Sequence, residues 1–469
     1  MDTPADDLRP TLDRLRAAWQ RQRPDARQRL DDLSRLRDAF RQRIDAMTAA
    51  ISADFGHRSV HESLASDGMT VLSEIDHLRS HLRGWMRPRR VDAGWKLWPA
   101  RAQVRPEALG VVGVMSPWNY PVNLALIPLA TAIAAGNHAY LKPSEHTPRT
   151  SDWLRELLAD VFPDDRVAVA TGGPELGAAF SALPFDHLVF TGSTAIGRKV
   201  MAAAAPNLTP LTLELGGKSP AIVAEDFPVE LAAARLSTGK WFNGGQTCIA
   251  PDYVLVERSR RDALVAALRA EARARYGALQ DADDYTRIIN GDQYRRLRGY
   301  LDDARDRGLE CIALVDIDPG RADAERLFAP TLVLEPGDDA TVMQEEIFGP
   351  ILPIKSYGSL DEAIDYVLAH DRPLALYPFS RNRATVEAIL GRVLAGGVTV
   401  NDTLLHFAAN ALPFGGVGAS GMGAYHGRAG FDAMTKAMPV LWQSRRAASD
   451  WLKPPYRGWV DRLVRLLAR

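Results

Sequence analysis

The sequence predicts an α/β protein with two doubly wound sheets, and three observations support that prediction. From Gly110 onward, short runs rich in β-branched residues alternate with helical patterns, as is typical of parallel βαβ units. The same alternation begins again after Leu215, which indicates a second sheet. A chain of 469 residues also exceeds what one hydrophobic core usually organises, so more than one domain is expected.

The N-terminal part is predicted to form helices and then an arm. Apolar residues after Leu33 recur at steps of three and four, which indicates a helix face packed on a core. The residues of this helix face are Leu36, Phe40, Ile44, Met47 and Ile51. Residues 91–109 mix tryptophans, basic residues and alternating apolar positions, a pattern typical of an extended hairpin that we expect to serve oligomerisation.

The first sheet is predicted from the runs VVGVMS, HAYLKPS, RVAVATGG and HLVFTGS. The stretch from Leu124 to Ala135 contains Pro128 and is short for a bilayer span of about 20 residues, so we expect a buried helix there. Another helix is expected from Ser151. Ligands of such sheets lie at the carboxyl ends of the strands.

The second sheet is predicted from AIVAED, YVLVERS, RIINGDQY, TLVLEP and ILPIKSYG, with a helix from Val229 to Phe242. The last segment, PPYRGWVDRLVRLLAR, predicts a short amphipathic helix. We favour its docking on the body or on a partner subunit over a membrane-surface anchor, and it is too short to span a bilayer. Its apolar face holds Val460, Leu463, Val464 and Leu467.

The composition excludes several classes of protein. Hydrophobic residues make up 46% and charged residues 25%, the balance of a folded globular protein. Basic (57) and acidic (58) residues nearly cancel, so no global basic field indicates nucleic acid binding. Cys248 and Cys311 are too few for a disulfide framework or a four-cysteine zinc site, which favours a reducing, cytoplasmic compartment. The acidic N-terminus also lacks the order of a signal peptide.

Two motifs are candidates for a nucleotide site. The run HLVFTGSTAIGRKV is a strand, a glycine-containing turn and a helix, in which the backbone N–H groups of Gly192, Ser193 and Thr194 form a cradle suited to a pyrophosphate. A plain strand-to-helix turn fits this pattern equally well. The run YLKPSEHTP puts Lys142 and Glu145 just past a strand end, and the alternative there is an ordinary surface ion pair.

Three residues have the features of nucleophilic catalysis. Cys248 in NGGQTCIAPDY follows two glycines, which let a ligand approach the backbone, whereas Cys311 lies in a strand-like apolar run and is expected to pack in the core. Glu214 ends an apolar strand, where a carboxyl pKa rises toward that of a general base; the alternative is a turn cap. Asn119 precedes the apolar helix, so its amide either holds an oxyanion or caps that helix.

Seven motifs together resemble, in the same order, those of the NAD(P)-dependent aldehyde dehydrogenase superfamily: SPWNYP, LKPSE, FTGSTAIG, LELGGKSP, GGQTC, EEIFGP and LPFGGVGASGMGAYHG. The likeness spans about residues 30–440. The last motif and the PPY tail resemble the class-3 branch, and ADFGHRSVHE, WMRPRRV and VNDTLLH resemble its bacterial coniferyl aldehyde dehydrogenases. Ala419 departs from the Asn that class-3 members often have, and it touches none of the proposed catalytic residues.

The resemblance implies a Rossmann-type dinucleotide-binding domain, a second α/β catalytic domain and a small β oligomerisation arm, in a homodimer. The first domain is expected over 1–83, 106–213 and 398–425, and the second over 214–397. The arm and the C-terminal tail are expected over 84–105 and 426–469.

The resemblance also implies a role for each candidate residue and requires no metal. Cys248 resembles the nucleophile, Glu214 the general base and Asn119 the oxyanion donor beside the backbone N–H of Cys248. Lys142 and Glu145 resemble the residues near the adenosine ribose, and Ser193 lies at the pyrophosphate turn. Glu346 and Phe348 resemble the nicotinamide-ribose contacts. Glu145 would repel a 2′-phosphate, so NAD is expected, with NADP as the alternative. The residues expected to bind the cofactor are Ser116, Pro117, Trp118, Lys142, Ser144, Glu145, Gly192, Ser193, Glu214, Leu215, Gly216, Glu346 and Phe348.

The predicted reaction is oxidation of an aldehyde to the carboxylic acid through a thiohemiacetal and a thioester. The aldehyde is expected to be aromatic, such as coniferyl aldehyde, or medium-chain and hydrophobic; a fatty or general aldehyde dehydrogenase of the same branch is the alternative. A cysteine hydrolase or thioesterase would have no use for FTGSTAIG and EEIFGP, and the intact catalytic residues argue against a noncatalytic relative. Candidate neighbours of the aldehyde are Tyr120, Leu124, Trp241 and Phe407.

Overall fold

The computed structural model describes residues 2–277, 279, 283–445, 447, 454 and 458–468, with Leu467 described by its backbone alone. The predicted apolar helix face near the N-terminus is confirmed, but two helices share it, because the chain leaves helical geometry at Arg43. A π-helical turn over Leu64–Met69 precedes the last of these helices. The N-terminal helices are α1 (Leu8–Arg21), α2 (Ala26–Gln42), α3 (Ile44–Phe55), α4 (Val60–Ser63) and α5 (Thr70–Trp85).

The expected hairpin follows α5. Its strands are β1 (Arg89–Val91) and β2 (Arg101–Ala108), which pair in antiparallel register. The connection between them holds Trp95 and Trp98, and both indoles are largely exposed.

The first α/β unit has five parallel strands in the order β7–β6–β3–β4–β5. The order of strand addition reverses between β3 and β6, which is where such sheets bind ligands. Helix α6 is buried along its whole length, as the sequence predicted. The elements are β3 (Val111–Met115), α6 (Asn123–Ala135), β4 (His138–Lys142), α7 (Pro148–Val161), β5 (Val167–Val169), α8 (Pro174–Ser181), β6 (His187–Thr191), α9 (Thr194–Ala204) and β7 (Leu211–Glu214).

The second α/β unit has seven strands in the order β10–β11–β12–β9–β8–β13–β14. All neighbours are parallel except β10 and β11. The elements are β8 (Pro220–Val223), α10 (Val229–Trp241), β9 (Tyr253–Glu257), α11 (Arg261–Tyr276), α12 (Gly291–Asp306), β10 (Cys311–Ala313), α13 (Pro319–Glu325), β11 (Thr331–Leu334), α14 (Thr341–Gln344), β12 (Ile351–Tyr357), α15 (Leu360–Leu368), β13 (Ala375–Phe379), α16 (Arg383–Leu390) and β14 (Gly397–Val398).

Two features of this unit differ from the sequence prediction. The segment RIINGDQY is not a strand, because Asn290 caps α12: its side chain accepts a hydrogen bond from the Gln293 N–H at 2.9 Å. Cys311 lies on a strand as predicted, but that strand is at the sheet edge, so the side chain packs on the core and stays partly exposed.

The C-terminal part adds one strand to the first sheet and one to the arm. It contains β15 (Gly421–Met422), α17 (Gly427–Ala433), β16 (Thr435–Trp442) and α18 (Trp459–Leu467). Strand β15 pairs antiparallel with β7 and completes a six-stranded sheet, while β16 pairs with β2 and gives the arm a third strand.

The predicted domain boundaries at 83/84, 105/106 and 213/214 fall inside α5, β2 and β7. Pro455 and Tyr456 of the PPY motif and the side chain of Leu467 lie outside the described residues. Within the described part of the chain, no helix combines the length and apolar character needed to cross a bilayer.

Candidate active site

A tight loop between α10 and β9 presents Cys248. Asn243, Gly244 and Gly245 have φ of 55°, 60° and 75°, so the chain turns sharply just before the cysteine. A Cβ on Gly245 would lie 2.3 Å from the carbonyl oxygen of Gly349. Glycine at this position therefore also allows close contact with the segment around Gly349.

The Cys248 side chain is half-buried on this loop. Burial raises the pKa of its thiol above the ordinary value, and the nearby Glu346 and Glu214 carboxyls raise it further. Its own N–H and that of Ile249 act in the opposite direction. At neutral pH the thiol is therefore protonated in the free protein, and it becomes a nucleophile only as its proton leaves.

Glu214 ends β7 in a fully enclosed position. It is 2% exposed, and neither carboxylate oxygen accepts a hydrogen bond from any residue that the structure describes. Burial raises the pKa of this carboxyl well above its ordinary value. The turn-cap alternative is thus excluded, and the environment favours the protonated form of the carboxyl, as suits a group that takes up a proton.

Asn119 connects the loop after β3 with the Cys248 loop. Its side-chain Nδ2 donates to the backbone oxygen of Gln246 at 3.1 Å, two residues before the cysteine. Helix α6 begins only at Asn123 and has Val122 at its N-cap, so Asn119 is not the helix cap. One amide hydrogen of Asn119 is engaged in this bond, and its second one is left for a ligand.

The residues predicted to contact adenosine and phosphate lie at the carboxyl ends of the first sheet. Lys142 ends β4, and its Nζ donates to Glu145 Oε2 at 2.8 Å. Burial acts to raise the pKa of Glu145, but the hydrogen bond and positive charge of Lys142, together with the local backbone N–H and His146, outweigh it and the pKa is lowered. Ser144 accepts from the His146 N–H at 3.2 Å and so holds the local turn.

The predicted phosphate cradle needs one correction. The N–H of Gly192 donates to the backbone oxygen of Glu214 at 3.0 Å, because β6 and β7 continue their pairing there. The cradle therefore consists of the N–H groups of Ser193 and Thr194 at the start of α9, where Ser193 also caps the helix through Ile196 N.

The residues predicted near the nicotinamide ribose, Glu346 and Phe348, both come from the second unit. A Cβ on Gly216 would lie 1.9 Å from Glu346 Oε2, so a larger residue there would require the Glu346 carboxylate to shift. Burial and Asp252 raise the pKa of Glu346 to about 8. The ring of Phe348 meets Trp118 edge-on at 5.3 Å, next to Pro117. Leu215 donates its N–H to Ser420 O at 3.1 Å.

These residues fit a dinucleotide. Ser116 Oγ, Thr191 Oγ1 and Glu346 Oε1 are buried atoms with no hydrogen-bond partner among the described residues. Such atoms are uncommon in folded proteins, and here Ser116 and Thr191 lie at the carboxyl ends of β3 and β6, where ribose hydroxyls and phosphates would bind. No group of three or more His, Cys, Asp or Glu side chains suited to a metal ion occurs in the described residues.

Two buried charged residues were missed by the sequence reasoning. Arg58 reaches this site from the loop between α3 and α4, and Glu62 from α4. Their segment ADFGHRSVHE carries no signal except its family likeness. Of the four candidate aldehyde neighbours, Leu124 and Trp241 belong to the main hydrophobic core, and Phe407 is half-buried against Phe414. Tyr120 is buried and shares a hydrogen bond with Thr247 at 2.5 Å.

Known proteins resemble this chain over nearly its full length. The aldehyde dehydrogenase family model matches residues 12–440. A probable coniferyl aldehyde dehydrogenase of Pseudomonas aeruginosa is 47% identical, over 97% of this chain and 96% of the relative. The coniferyl aldehyde dehydrogenase of another Pseudomonas strain is 44% identical, over 99% and 96%. The solved substrate-bound AldH of Staphylococcus aureus has a TM-score of 0.92 at 38% identity, covering 98% of this chain and 99% of that one.

The fold, the motif order and these similarities agree, and they confirm the predicted resemblance. The alternative of a hydrolase without redox chemistry is not favoured, because the matched family performs dehydrogenation. The chain belongs to the aldehyde dehydrogenase family, an enzyme family that oxidises aldehydes to carboxylic acids with NAD(P)+.

Proposed function

We propose that Cys248, Glu214 and Asn119 perform the oxidation, with Cys248 as nucleophile. The observation that supports this most directly is the hydrogen bond from Asn119 Nδ2 to Gln246 O, which brings an amide donor to the cysteine loop. Glu214 adds a buried carboxyl that is free of hydrogen bonds from the described residues. Together they supply a nucleophile, an oxyanion donor and a base.

The first step joins the sulfur of Cys248 to the carbonyl carbon of the aldehyde. The thiol proton passes to solvent, which the half-buried side chain can reach, and the carbonyl oxygen takes up negative charge. The backbone N–H of Cys248 and the second N–H of Asn119 donate to that oxygen. Loss of one such donor typically costs about 10²–10³ in turnover.

The second step produces the acid. The electron pair of the oxyanion re-forms the carbonyl, the aldehyde hydrogen leaves as a hydride, and a thioester remains on Cys248. Bound NAD(P)+ supplies the acceptor for that hydride. Glu214 then takes a proton from water, whose oxygen adds to the thioester carbon. The C–S bond breaks, the carboxylic acid leaves and the cysteine regains a proton.

The two cysteines allow a matched test. Cys248→Ala should abolish aldehyde-dependent formation of reduced cofactor while NAD+ binding, measured by quenching of tryptophan fluorescence, is retained. Cys311→Ala should keep full turnover, because that side chain lies on the edge strand β10. Turnover by the Cys248→Ala variant would contradict the nucleophile role.

We propose coniferyl aldehyde, or a closely related aromatic aldehyde, as the substrate. Two relatives that match almost the whole chain carry that activity in their names. We expect kcat/KM for coniferyl aldehyde to exceed that for saturated medium-chain aldehydes. A panel of both classes, assayed with each cofactor, tests this, and higher kcat/KM for the aliphatic class would favour the general aldehyde dehydrogenase.

The proposed cofactor preference is for NAD. The Glu145 carboxylate, paired with Lys142, would repel a 2′-phosphate. Partly exposed charges interact by about 0.2–1 kcal/mol, so Glu145→Gln should raise kcat/KM for NADP relative to NAD by a factor of roughly 1.4 to 5. An unchanged ratio would show that Glu145 does not set the preference.

The proposed assembly is a cytoplasmic homodimer formed through the arm. Trp95, Trp98 and Trp442 are exposed by 71%, 79% and 59% on or beside its three strands, and such indoles favour burial against a partner. Light scattering on the purified protein measures the mass. A monomer at micromolar concentration would contradict the dimer.

A further inference from the structure

We propose that Arg58, Asp67 and Glu62 are positioning residues for the oxyanion site: they hold the Asn119 loop and the Cys248 loop in one fixed relation. This inference rests on the proposed function of Asn119 and Cys248. It gives the N-terminal helices a part in the reaction, although none of the three side chains is proposed to touch the substrate.

Arg58 and Asp67 form a fully buried ion pair that holds the Asn119 loop at two points. Arg58 Nη1 donates to the backbone oxygen of Asn119 at 3.0 Å, and Nη2 donates to Asp67 Oδ2 at 3.1 Å. The other carboxylate oxygen of Asp67 accepts the N–H groups of Val122 and Asn123 at 3.2 and 2.9 Å. The segment 119–123 is thus held from its first residue to the start of α6.

The position of Asp67 depends on the π-helical turn over Leu64–Met69. A π turn contains one residue more than an α turn, which changes the direction of the side chains that follow it. Asp67 lies within this turn and is 0% exposed, facing the start of α6. Irregular turns of this kind occur often at functional sites.

Glu62 holds the second loop. Its Oε2 accepts the N–H of Asn243 at 3.1 Å and the hydroxyl of Thr286 at 2.6 Å. Asn243, which has a left-handed φ, then donates through Nδ2 to the backbone oxygens of Asn119 and Gln246 at 3.0 and 3.1 Å. The carbonyl of Asn119 therefore receives one hydrogen bond from Arg58 and another from the cysteine loop.

Stability alone is a weak reason for such a network. Replacing a buried ion pair by apolar side chains of similar volume is often neutral or stabilising, so the charged pair is better explained by the directions that its hydrogen bonds impose. Oxyanion donors act only at the right place, and a shift of about 1 Å can cost about 100-fold in rate.

A double-mutant cycle tests whether Arg58 acts through Asn119. Lysine cannot donate to Asn119 O and Asp67 Oδ2 in the fixed directions of the planar guanidinium. Arg58→Lys should therefore lower kcat by roughly 10- to 100-fold with little change in NAD+ affinity. In the Asn119→Ala background, Arg58→Lys should cause no further fall in kcat. If the double variant instead shows the product of the two single falls in kcat, the proposal is overturned.

The cycle also separates this inference from the proposed function. If Asn119→Ala lowers kcat but Arg58→Lys does not, only the positioning role is overturned. If Asn119→Ala retains wild-type kcat, the oxyanion assignment fails, and the positioning role fails with it.

The control is a second buried ion pair away from the site. Arg166 Nη2 lies 2.9 Å from Asp32 Oδ2, and Arg166 Nη1 donates to the backbone oxygen of Asn137 at 3.0 Å, so this pair has the same bonding pattern. Arg166→Lys should leave kcat within about twofold of wild type. An equal fall in kcat for both lysine variants would mean a general effect on the fold and would overturn the proposal.

A paired variant covers the case in which Arg58→Lys does not fold. Arg58→Met combined with Asp67→Leu removes the charges together and should fold, as judged by circular dichroism and thermal unfolding. We expect its kcat to fall as in the lysine variant. Full kcat in the folded double variant would show that the bonds are not needed for turnover.

Discussion

Two buried carboxyl groups lie on either side of Cys248 in the sequence, and their surroundings differ. Glu214 and Asp252 are each 2% exposed. Asp252 accepts the Ile347 N–H at 3.0 Å, pairs with Lys218 and lies 3.9 Å from the Lys240 ammonium. Glu214 accepts no hydrogen bond from the residues described. Burial alone therefore does not distinguish the two carboxyls, whereas the absence of hydrogen-bond partners does.

The difference also assigns a separate task to each group. Asp252 follows the cysteine loop and binds the segment that holds Glu346 and Phe348, so it joins the Cys248 loop to the side of the site predicted to bind nicotinamide. Glu214 keeps both oxygens for a proton. We expect a substitution at Glu214 to lower mainly turnover and one at Asp252 to lower mainly stability.

The largest expected effect is that of Glu214→Gln on turnover. Loss of a general base typically costs about 10²–10⁴, so steady-state kcat should fall by that factor while the first turnover still gives a burst of reduced cofactor. Thermal stability should stay equal or rise, because no hydrogen bond to a described residue is lost. Stopped-flow absorbance measures the burst, and steady-state turnover equal to that of the wild type would refute the role.

Asp252→Asn should lower the stability of the fold and leave turnover largely unchanged. The substitution removes the carboxylate charge that pairs with Lys218 and lies near Lys240, and we expect the free energy of unfolding to fall by about 3 kcal/mol. Turnover per folded molecule should stay within about tenfold. Denaturant unfolding gives the first quantity, and an unchanged midpoint would remove the contrast between the two carboxyls.

The smallest effect concerns pH. Because the pKa of Glu214 is raised above its ordinary value of 4.5, the folded protein binds a proton there that the unfolded chain has lost. Stability from this group is complete below that ordinary value and declines as pH rises toward the raised pKa. Glu214→Gln should therefore lose less stability between pH 5 and pH 8 than wild type. Thermal unfolding at the two pH values checks the sign, and equal losses would contradict the raised pKa.

The sequence predicted the parts of the molecule that short segments specify. The alternation of strands and helices is a local pattern, so both parallel sheets were expected, and Cys248, Glu214 and Asn119 lie in motifs that can be read without a structure. The structure then places Asn119 against the cysteine loop.

The parts that the sequence did not predict depend on distant pairing. Arg58 binds a residue 61 positions away and Glu62 one 181 positions away, so no local pattern marks either of them. The third strand of the arm comes from the other end of the chain. The N–H of Gly192 appeared free in the turn motif because the carbonyl that binds it belongs to the next strand.

The pairing of β15 with β7 has a consequence for synthesis of the chain. Gly421 is the strand partner of Glu214, and β16, which completes the arm, follows shortly after it. The ribosome makes Glu214 long before either partner, although N-terminal regions generally begin to fold first. An unfinished chain therefore exposes the edge of β7. The pocket around Glu214 and the arm are both completed late in translation, when β15 and β16 have been made.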